Sequence, residues 1–335
     1  MKLLITGATG FLGKAVTVEA LARGHQVRAM VRPSREVTGL PWHGNPNVEY
    51  SRVDLRSRRG LDEAVAGVDA VLHLAASISG DFYSQFEGTV VATERLLDAM
   101  KAAGGGQVVL ISSFSVYGYL RRWPFTLIDE ESPIEEVMAE RDDYAKTKLL
   151  QDQLVRRYAN EGSWPLVVLR PGVIYGPGKV YGARLGSKVK NRLWLRLGAW
   201  ARVPMTYVEN CAQAVVLAAE TEAAQGQTLN ILDDNPPTQR SLAKAIRRRT
   251  SPRPFLLPIC WTLLRITART VWIFNRCFLG GKAKVPGVFI PARLHARFKP
   301  LRYSNAKARR VLDWQPRYTL EQGLNRSCTN SAEDD

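Results

Sequence analysis

The sequence predicts an α/β protein built on a doubly wound parallel sheet, with a smaller, discontinuous C-terminal lobe. Apolar runs of strand length alternate with segments of helical period from residue 3 onward. That alternation is typical of a parallel sheet sandwiched between helices. A glycine-rich turn directly after the first apolar run supports the same fold, because it opens the first helix. At 335 residues the chain is long enough for a large domain with a smaller appendage.

Each predicted element rests on its own local pattern. The strands are short apolar runs, at residues 3–6, 26–31, 70–74, 108–112, 166–169 and 228–232. The helices have apolar residues at helical spacing, at residues 14–23, 61–66, 92–102, 144–160 and 207–220. The segment 144–160 is also rich in strong helix formers.

The order of these elements predicts two lobes. Residues 1–175 form a dinucleotide-binding domain, to which residues 205–235 return with a helix and a strand. After Pro171 the pattern becomes irregular, so residues 176–204 and 236–324 are expected to form the substrate-binding lobe. The polar end, residues 325–335, is expected to be a flexible tail.

The charge balance indicates an anionic partner. The chain carries 47 Lys and Arg against 31 Asp and Glu, a net charge of +16. Three kinds of partner would complement this positive charge: nucleic acid, an anionic membrane surface, and the phosphates of a cofactor or substrate. Zinc-finger spacing and the aromatic signature of RNA recognition are both missing from the sequence, so no nucleic-acid partner is expected.

The four cysteines are far apart and have no histidine partners at metal-ligand spacing. They are interpreted as reduced thiols, and no metal site is expected. The N-terminal apolar run is too short for the core of a signal peptide. A cytoplasmic enzyme is therefore expected, with association to a membrane surface and a homodimer both left open.

Residues 7–13 read Gly-Ala-Thr-Gly-Phe-Leu-Gly and lie between a predicted strand and a predicted helix. Gly7 permits a tight turn, Gly10 lets the backbone approach a pyrophosphate, and Gly13 lets the helix pack closely on the strand. The helix N-terminus offers free N–H groups to the anion. In this context the motif predicts a Rossmann-type dinucleotide site, against the alternative of a turn that holds no ligand.

The end of the second strand bears on the choice between NAD and NADP. Proteins that take NAD usually place a carboxylate there, which bonds the ribose. Residues 26–35 contain no carboxylate and instead carry Arg28, Arg32 and Arg35. Because arginine pairs well with a phosphate dianion, NADP(H) is favoured over NAD(H), with Arg32 as the main contact. The alternative is a set of solvated surface arginines.

Tyr144 and Lys148 lie at positions i and i+4 of a predicted helix, and so on one face. A free tyrosine has a pKa of about 10, too high for a base at neutral pH. A neighbouring ammonium lowers that pKa, which makes both phenol and phenolate accessible. Upstream, Ser112 and Ser113 follow an apolar strand at the sheet edge where such folds bind ligands. A serine there can hydrogen-bond the reacting oxygen.

Together these motifs resemble those of the extended short-chain dehydrogenase/reductases, the NAD-dependent epimerase/dehydratase family, in its 3β-hydroxysteroid dehydrogenase-like branch. The resemblance also covers residues 73–76, 170–177, 207–210 and 312–323. It implies Tyr144 as the acid/base, Lys148 as its pKa-lowering partner and ribose contact, and Ser113 as the substrate-orienting hydroxyl. The implied cofactor contacts are Gly7, Thr9, Gly10, Phe11, Leu12, Gly13, Arg32, Asp54, Leu55, Leu74, Ala75, Ala76, Ser112, Tyr144, Lys148, Pro171, Gly172 and Val173.

Departures from the family pattern narrow the chemistry. Dehydratases carry Asp-Glu just after the catalytic serine or threonine, whereas this chain has Phe114 and Ser115, so dehydration is not expected. Gly172 and Val203 stand where many epimerases hold a diphosphate. The effect of Thr89, at a position that is usually Asn, is left open. Five basic residues favour the other substrate class, because their charge suits the diphosphate of a nucleotide sugar. They are Arg184, Lys188, Lys190, Arg192 and Arg196.

Residues 255–281 are unusually apolar and aromatic, and Arg265, Arg269 and Arg276 interrupt them at spacings of four and seven. Three arginines make a membrane-spanning helix costly. The segment predicts a basic amphipathic helix that lies on a membrane or covers a hydrophobic substrate. The alternative is a core helix of the smaller lobe with solvated arginines.

The expected function is NADP(H)-dependent interconversion of a secondary alcohol and a ketone, on a hydrophobic, sterol- or lipid-like small molecule. Nucleotide-sugar epimerisation by the same three side chains is the alternative among enzymes. A non-catalytic NAD(P)-sensing protein is the alternative from another class, and the joint presence of Ser113, Tyr144 and Lys148 argues against it. Substrate identity, physiological direction and oligomeric state are left open.

Overall fold

The structure, a computed structural model, describes residues 1–136, 140–180, 187–188, 193–249 and 255–328. The strands are β1 (Lys2–Thr6), β2 (Gln26–Val31), β3 (Val48–Arg52), β4 (Ala70–His73), β5 (Gln107–Ile111), β6 (Leu127–Ile128), β7 (Leu166–Pro171), β8 (Val173–Tyr175), β9 (Ser187–Lys188), β10 (Leu193–Leu197), β11 (Met205–Tyr207), β12 (Thr228–Ile231), β13 (Phe255–Ile259) and β14 (Arg302–Tyr303). The helices are α1 (Phe11–Ala22), α2 (Leu61–Val65), α3 (Phe82–Phe86), α4 (Ala92–Ala102), α5 (Asp143–Gly162), α6 (Val208–Glu220), α7 (Gln239–Arg249), α8 (Trp261–Phe278), α9 (Pro291–Phe298), α10 (Ala306–Leu312) and α11 (Leu320–Cys328).

The central sheet has seven parallel strands in the described ranges, in the order β12-β7-β5-β4-β1-β2-β3. The chain adds β2 and β3 on one side of β1, then crosses over and adds the remaining strands on the other side. The direction reverses between β1 and β4, and ligands of such sheets bind in the crevice at that point. The predicted doubly wound fold is confirmed.

Alternating residues of β1 enter two different cores. Leu3 and Ile5 pack with α1 and α6 on one face, whereas Leu4 packs with α4 and α5 on the other. All three side chains are fully buried. A strand buried on both faces is apolar at every position, which is why β1 was visible as a continuous apolar run.

The remaining strands belong to small sheets outside the central one. Strand β8 pairs with β11, β14 pairs with β6, and β10 lies between β9 and β13. Helix α8 packs on α9 through a separate apolar cluster that includes Leu264, Ala268, Leu294 and Phe298. The two-residue strands were not predicted, since two residues show no period.

Three expectations need correction or fall outside the described residues. Residues 255–259 are strand β13 and not part of a helix, because they pair with β10. Residues 325–328, expected to lie in a flexible tail, belong to α11. Arg184, Lys190 and Arg192 lie outside the described residues, as do residues 329–335. No helix in the described part of the chain has an apolar stretch long enough to cross a bilayer.

Candidate active site

The glycine-rich turn joins β1 to α1 at the reversal point of the sheet. Gly7 has a φ of +67°, and the Gly10 amide donates to its carbonyl at 2.9 Å. A Cβ on Gly13 would lie 2.1 Å from the Gly7 carbonyl oxygen, so only glycine lets the helix start this close to the strand. Helix α1 begins without a side-chain cap, which leaves its first N–H groups for another acceptor.

A dinucleotide fits this turn. A Cβ on Gly7 would lie 3.1 Å from the backbone of Ala75, so the ends of β1 and β4 approach each other closely. An uncapped helix N-terminus beside such a crevice suits a pyrophosphate. Thr9 and Phe11 are half-buried, and the Leu12 side chain belongs to the core. Leu12 is therefore placed to contact a ligand through its backbone.

Three arginines were expected near the cofactor phosphate, and the structure places Arg28 in a different environment from Arg32 and Arg35. Arg32 and Arg35 are exposed directly after β2. Arg28 instead contacts Glu49 of β3 and donates to the carbonyls of Ala64 and Ala66 at 2.8 and 2.6 Å. Arg28 therefore ties the sheet to α2, and the expectation that it joins the phosphate site is wrong.

The turn that carries Arg32 is braced from the neighbouring strand. Arg52 Nη1 donates to the carbonyls of Pro33 and Arg35, each at 3.1 Å. Nearby, Arg56 bonds the Asp54 carboxylate at 2.7 Å, and this contact, with the charge of Arg32, lowers the pKa of Asp54. The braced turn holds the Arg32 backbone in place and leaves its side chain at the surface.

The two adjacent serines after β5 have different partners. Ser112 Oγ donates to Asp152 at 2.7 Å, in a fully buried position. Ser113 Oγ accepts from the Ser115 amide at 3.1 Å and retains 9% exposure. The Ser112 hydroxyl therefore fixes the strand end to α5, whereas the Ser113 hydroxyl caps the short helical turn at residues 114–116.

The start of α5 is held against the serine loop. Asp142 caps the helix by accepting from the Ala145 amide at 3.0 Å. Arg141, 2% exposed, donates to the carbonyls of Ser115 and Tyr117 at 2.7 and 3.0 Å. Tyr144 is the second residue of this helix, so both the cap and the arginine brace determine where it begins.

The Lys148 ammonium is buried at the end of β5. Its Nζ donates to the Ile111 carbonyl at 2.6 Å and to Gln151 Oε1 at 2.7 Å. Burial lowers the pKa of Lys148 to about 8, against the opposing effect of the Asp152 carboxylate. A fraction of the lysine therefore loses its proton just above neutral pH.

Gln151 connects Lys148 to a second buried group. Its Nε2 donates to Thr93 Oγ1 at 2.8 Å, and Thr93 contacts His73 Nε2 at 2.8 Å. His73 Nδ1 lies 2.8 Å from Thr6 Oγ1, at the end of β1. Burial and the Lys148 charge lower the pKa of His73 to about 3, so the ring is neutral. This polar chain links the lysine to the glycine-rich turn.

Sequence reasoning did not find Arg141, Gln151 or Thr93. The only available signal was that residues 148, 151 and 152 share one face of the predicted helix. The structure also answers the question left open at Thr89, whose Oγ1 accepts from the Ser77 amide at 2.9 Å. Thr89 thereby holds the loop that follows β4.

Gly172 and Val203 are the two positions that depart from the pattern of many epimerases, and packing constrains both of them. A Cβ on Gly172 would lie 2.4 Å from the Pro204 carbonyl oxygen, so backbone occupies the space of a longer side chain. Val203 is 2% exposed and packs into the main core. The exposed Arg202 donates to the Pro236 carbonyl at 2.9 Å. Positions 172 and 203 therefore present no polar side chain to a substrate.

The chain was compared with known proteins. The family model described as NAD dependent epimerase/dehydratase matches residues 3–231. A 2-alkyl-3-oxoalkanoate reductase from Stenotrophomonas maltophilia is 32% identical, over 99% of this chain and 100% of that protein. A 3 beta-hydroxysteroid dehydrogenase/Delta 5→4-isomerase from Mycobacterium tuberculosis is 28% identical, over 96% of this chain and 88% of that protein.

Solved structures share the fold at lower identity. The structure of Thermus thermophilus UDP-glucose 4-epimerase with NAD superposes with a TM-score of 0.72 at 20% identity, covering both chains fully. Pal from Bacillus thuringiensis gives a TM-score of 0.74 at 23% identity, covering 98% of each chain. At these identities the likeness concerns the fold.

Proposed function

The chain belongs to the NAD-dependent epimerase/dehydratase family and is an NAD(P)-dependent enzyme, and from this we propose that it reduces the ketone of a lipid-like substrate with NADPH. The observation that carries the choice of substrate is the backbone and core packing at Gly172 and Val203. A nucleotide sugar needs polar contacts for its diphosphate, which these two positions do not supply. The relative from Stenotrophomonas is named as a reductase of 2-alkyl-3-oxoalkanoates, ketones that carry alkyl chains, which agrees with this choice.

We assign three side chains to the proton transfer. Tyr144 donates its phenolic proton to the carbonyl oxygen as that oxygen becomes an alcohol. The Ser113 hydroxyl donates a hydrogen bond to the same oxygen, and the Lys148 ammonium lowers the pKa of Tyr144. When bound, the nicotinamide supplies the hydride. The uncapped start of α1, Arg32 and Ala75 would hold the cofactor.

A substrate panel tests this proposal. The protein is incubated with NADPH and, separately, with 2-alkyl-3-oxoalkanoates, ketosteroids and UDP-sugars, and NADPH absorbance is followed. We expect NADPH consumption with the long-chain oxoalkanoates or ketosteroids. Interconversion of UDP-sugar epimers, the second candidate activity, would overturn the assignment. Cofactor binding without turnover of any of these would favour the sensing alternative.

The preference for NADPH is expected to depend on Arg32. Arg32→Ala should weaken NADPH binding by about tenfold, since a charge-assisted contact is lost, and leave NADH binding unchanged. Fluorescence titration of both cofactors measures this. Arg58→Ala, at an exposed position beyond β3, is the charge-matched control and should change neither affinity. Equal affinities for the two cofactors in the unmutated protein would contradict the prediction.

Gln151 is expected to set the alkaline limit of the reaction. Gln151→Leu removes an acceptor from the Lys148 ammonium, so the pKa of Lys148 should fall by roughly one unit. The alkaline limb of the kcat/KM profile for reduction then moves to lower pH. Gln151→Glu adds a negative charge and should move the limb to higher pH. If both variants keep the pH profile of the unmutated protein, Gln151 has only a structural role.

A further inference from the structure

Residues 235–312 contain 18 Lys and Arg and no Asp or Glu. This segment therefore accounts for all of the chain's net charge of +16. The glycine-rich turn and the proposed catalytic residues lie elsewhere in the sequence, so cofactor phosphates do not explain the concentration of charge. A partner with a large anionic surface would complement this concentration of positive charge.

Helix α8 lies in this segment and is attached to the rest of the lobe by a narrow strip. Leu264, Ala268 and Asn275 are its buried residues, and they lie within about 40° of one another around the helix. Leu264 and Ala268 pack in the cluster formed with α9. Most of the helix circumference is therefore available to solvent.

The opposite face of α8 is apolar and exposed. Its large side chains have between 48 and 74% exposure, at Leu263, Ile266, Ile273, Phe274 and Phe278. Two of them stack on each other, since the rings of Phe274 and Phe278 are 4.9 Å apart. Exposed apolar residues are common singly, but a row along 16 residues of one helix marks an interaction surface.

An arginine row runs between the buried strip and the exposed apolar face. Arg265, Arg269 and Arg276 are all exposed and lie within about 40° of one another around the helix. Arg276 also lies 3.6 Å from Glu140, an ion pair that leaves its side chain 66% exposed. Lys282 and Lys284 continue the basic surface beyond the end of the helix.

We propose that the exposed face of α8 docks on an anionic lipid bilayer, with its apolar side chains at the acyl boundary and its arginines at the lipid phosphates. Parallel apolar and basic rows along one helix match a planar boundary between hydrocarbon and anionic headgroups. A nucleic acid would meet the charge but offers no apolar layer for Ile266 and Phe274. The inference does not depend on the proposed reductase activity.

Vesicle flotation of the full-length protein tests the proposal. We expect binding to vesicles of phosphatidylcholine with phosphatidylglycerol to exceed binding to pure phosphatidylcholine by about tenfold at low salt. High salt should remove most of that excess. Absence of flotation with the anionic vesicles at low salt, for protein that shows a cooperative thermal unfolding transition, would overturn the proposal.

Two double variants test the contributions of the apolar row and the arginine row of α8 separately. Ile266→Ser with Phe274→Ser should abolish flotation on both vesicle types, whereas Arg265→Gln with Arg269→Gln should remove the preference for anionic lipid. Val18→Ser, at an exposed apolar position of α1, is the matched control and should float like the unmutated protein. Circular dichroism verifies folding, and Phe278→Ser replaces the double apolar variant if that variant is unfolded.

A competition arm tests the main alternative. Duplex DNA is added to protein bound to anionic vesicles, and the same DNA is titrated against the apolar variant. We expect vesicle binding to persist and DNA binding to be weak. Displacement from the vesicles by DNA, with the apolar variant binding DNA as tightly as the unmutated protein, would overturn the lipid proposal.

Discussion

Replacing Tyr144 with Phe is expected to lower kcat by about 10³-fold, within the range attributed to a positioned general acid. The Phe ring still packs at the start of α5 but carries no proton, so NADPH affinity should remain nearly unchanged. Assays of product formation measure kcat, and fluorescence titration of the cofactor measures NADPH affinity. Retention of substantial turnover by this variant would contradict the assigned mechanism.

Lys148→Met provides the comparison for Tyr144→Phe. It removes a buried ammonium that bonds Ile111 and Gln151, and it also removes the proposed ribose contact. Both kcat and NADPH affinity should therefore fall. The two variants together separate proton transfer from cofactor binding, because only one of them is expected to damage both.

The second large effect is expected at the glycine-rich turn. Gly13→Ala places a Cβ 2.1 Å from the Gly7 carbonyl oxygen and 2.8 Å from the Ala8 backbone, and backbone atoms cannot turn away as a flexible side chain can. The free energy of unfolding should fall by about 3 kcal/mol or more, and NADPH binding should be lost. Chemical denaturation and cofactor titration measure these changes.

Two glycine controls show whether the effect is local. At Gly39 an added Cβ meets nothing within 4 Å, so Gly39→Ala should leave stability and binding unchanged. At Gly10 the Cβ would lie 3.1 Å from the Gly7 carbonyl oxygen, so Gly10→Ala should weaken cofactor binding with a smaller loss of stability. Equal behaviour of all three variants would argue against the close approach of α1 to β1.

The sequence predicted most of the central sheet because parallel strands buried on both faces are apolar throughout. Strands β2 and β12 and helix α4 were predicted within one residue of their observed bounds. The small strands were missed because pairing with a distant segment defines them. Strand β13 is an example, since its apolar residues suit a helix equally well until β10 lies beside them.

The same limit applies to the site. The glycine-rich turn and the Tyr144–Lys148 spacing are local patterns, so they could be recognised without a structure. The buried chain through Gln151, Thr93 and His73 joins three distant segments, and its members have no shared local pattern. Arg28 was misassigned for the same reason, because its partners come from β3 and α2.

Deuteride transfer distinguishes net reduction of a lipid-like ketone from epimerisation of a nucleotide sugar. The protein is incubated with NADPH deuterated at the transferable position and a 2-alkyl-3-oxoalkanoate, and the product is analysed by mass spectrometry. We expect deuterium on the new carbinol carbon and one NADP⁺ formed for each product molecule. Absence of label from the oxoalkanoate incubation, with conversion of a UDP-sugar to its epimer without NADPH consumption in a parallel incubation, would contradict net reduction.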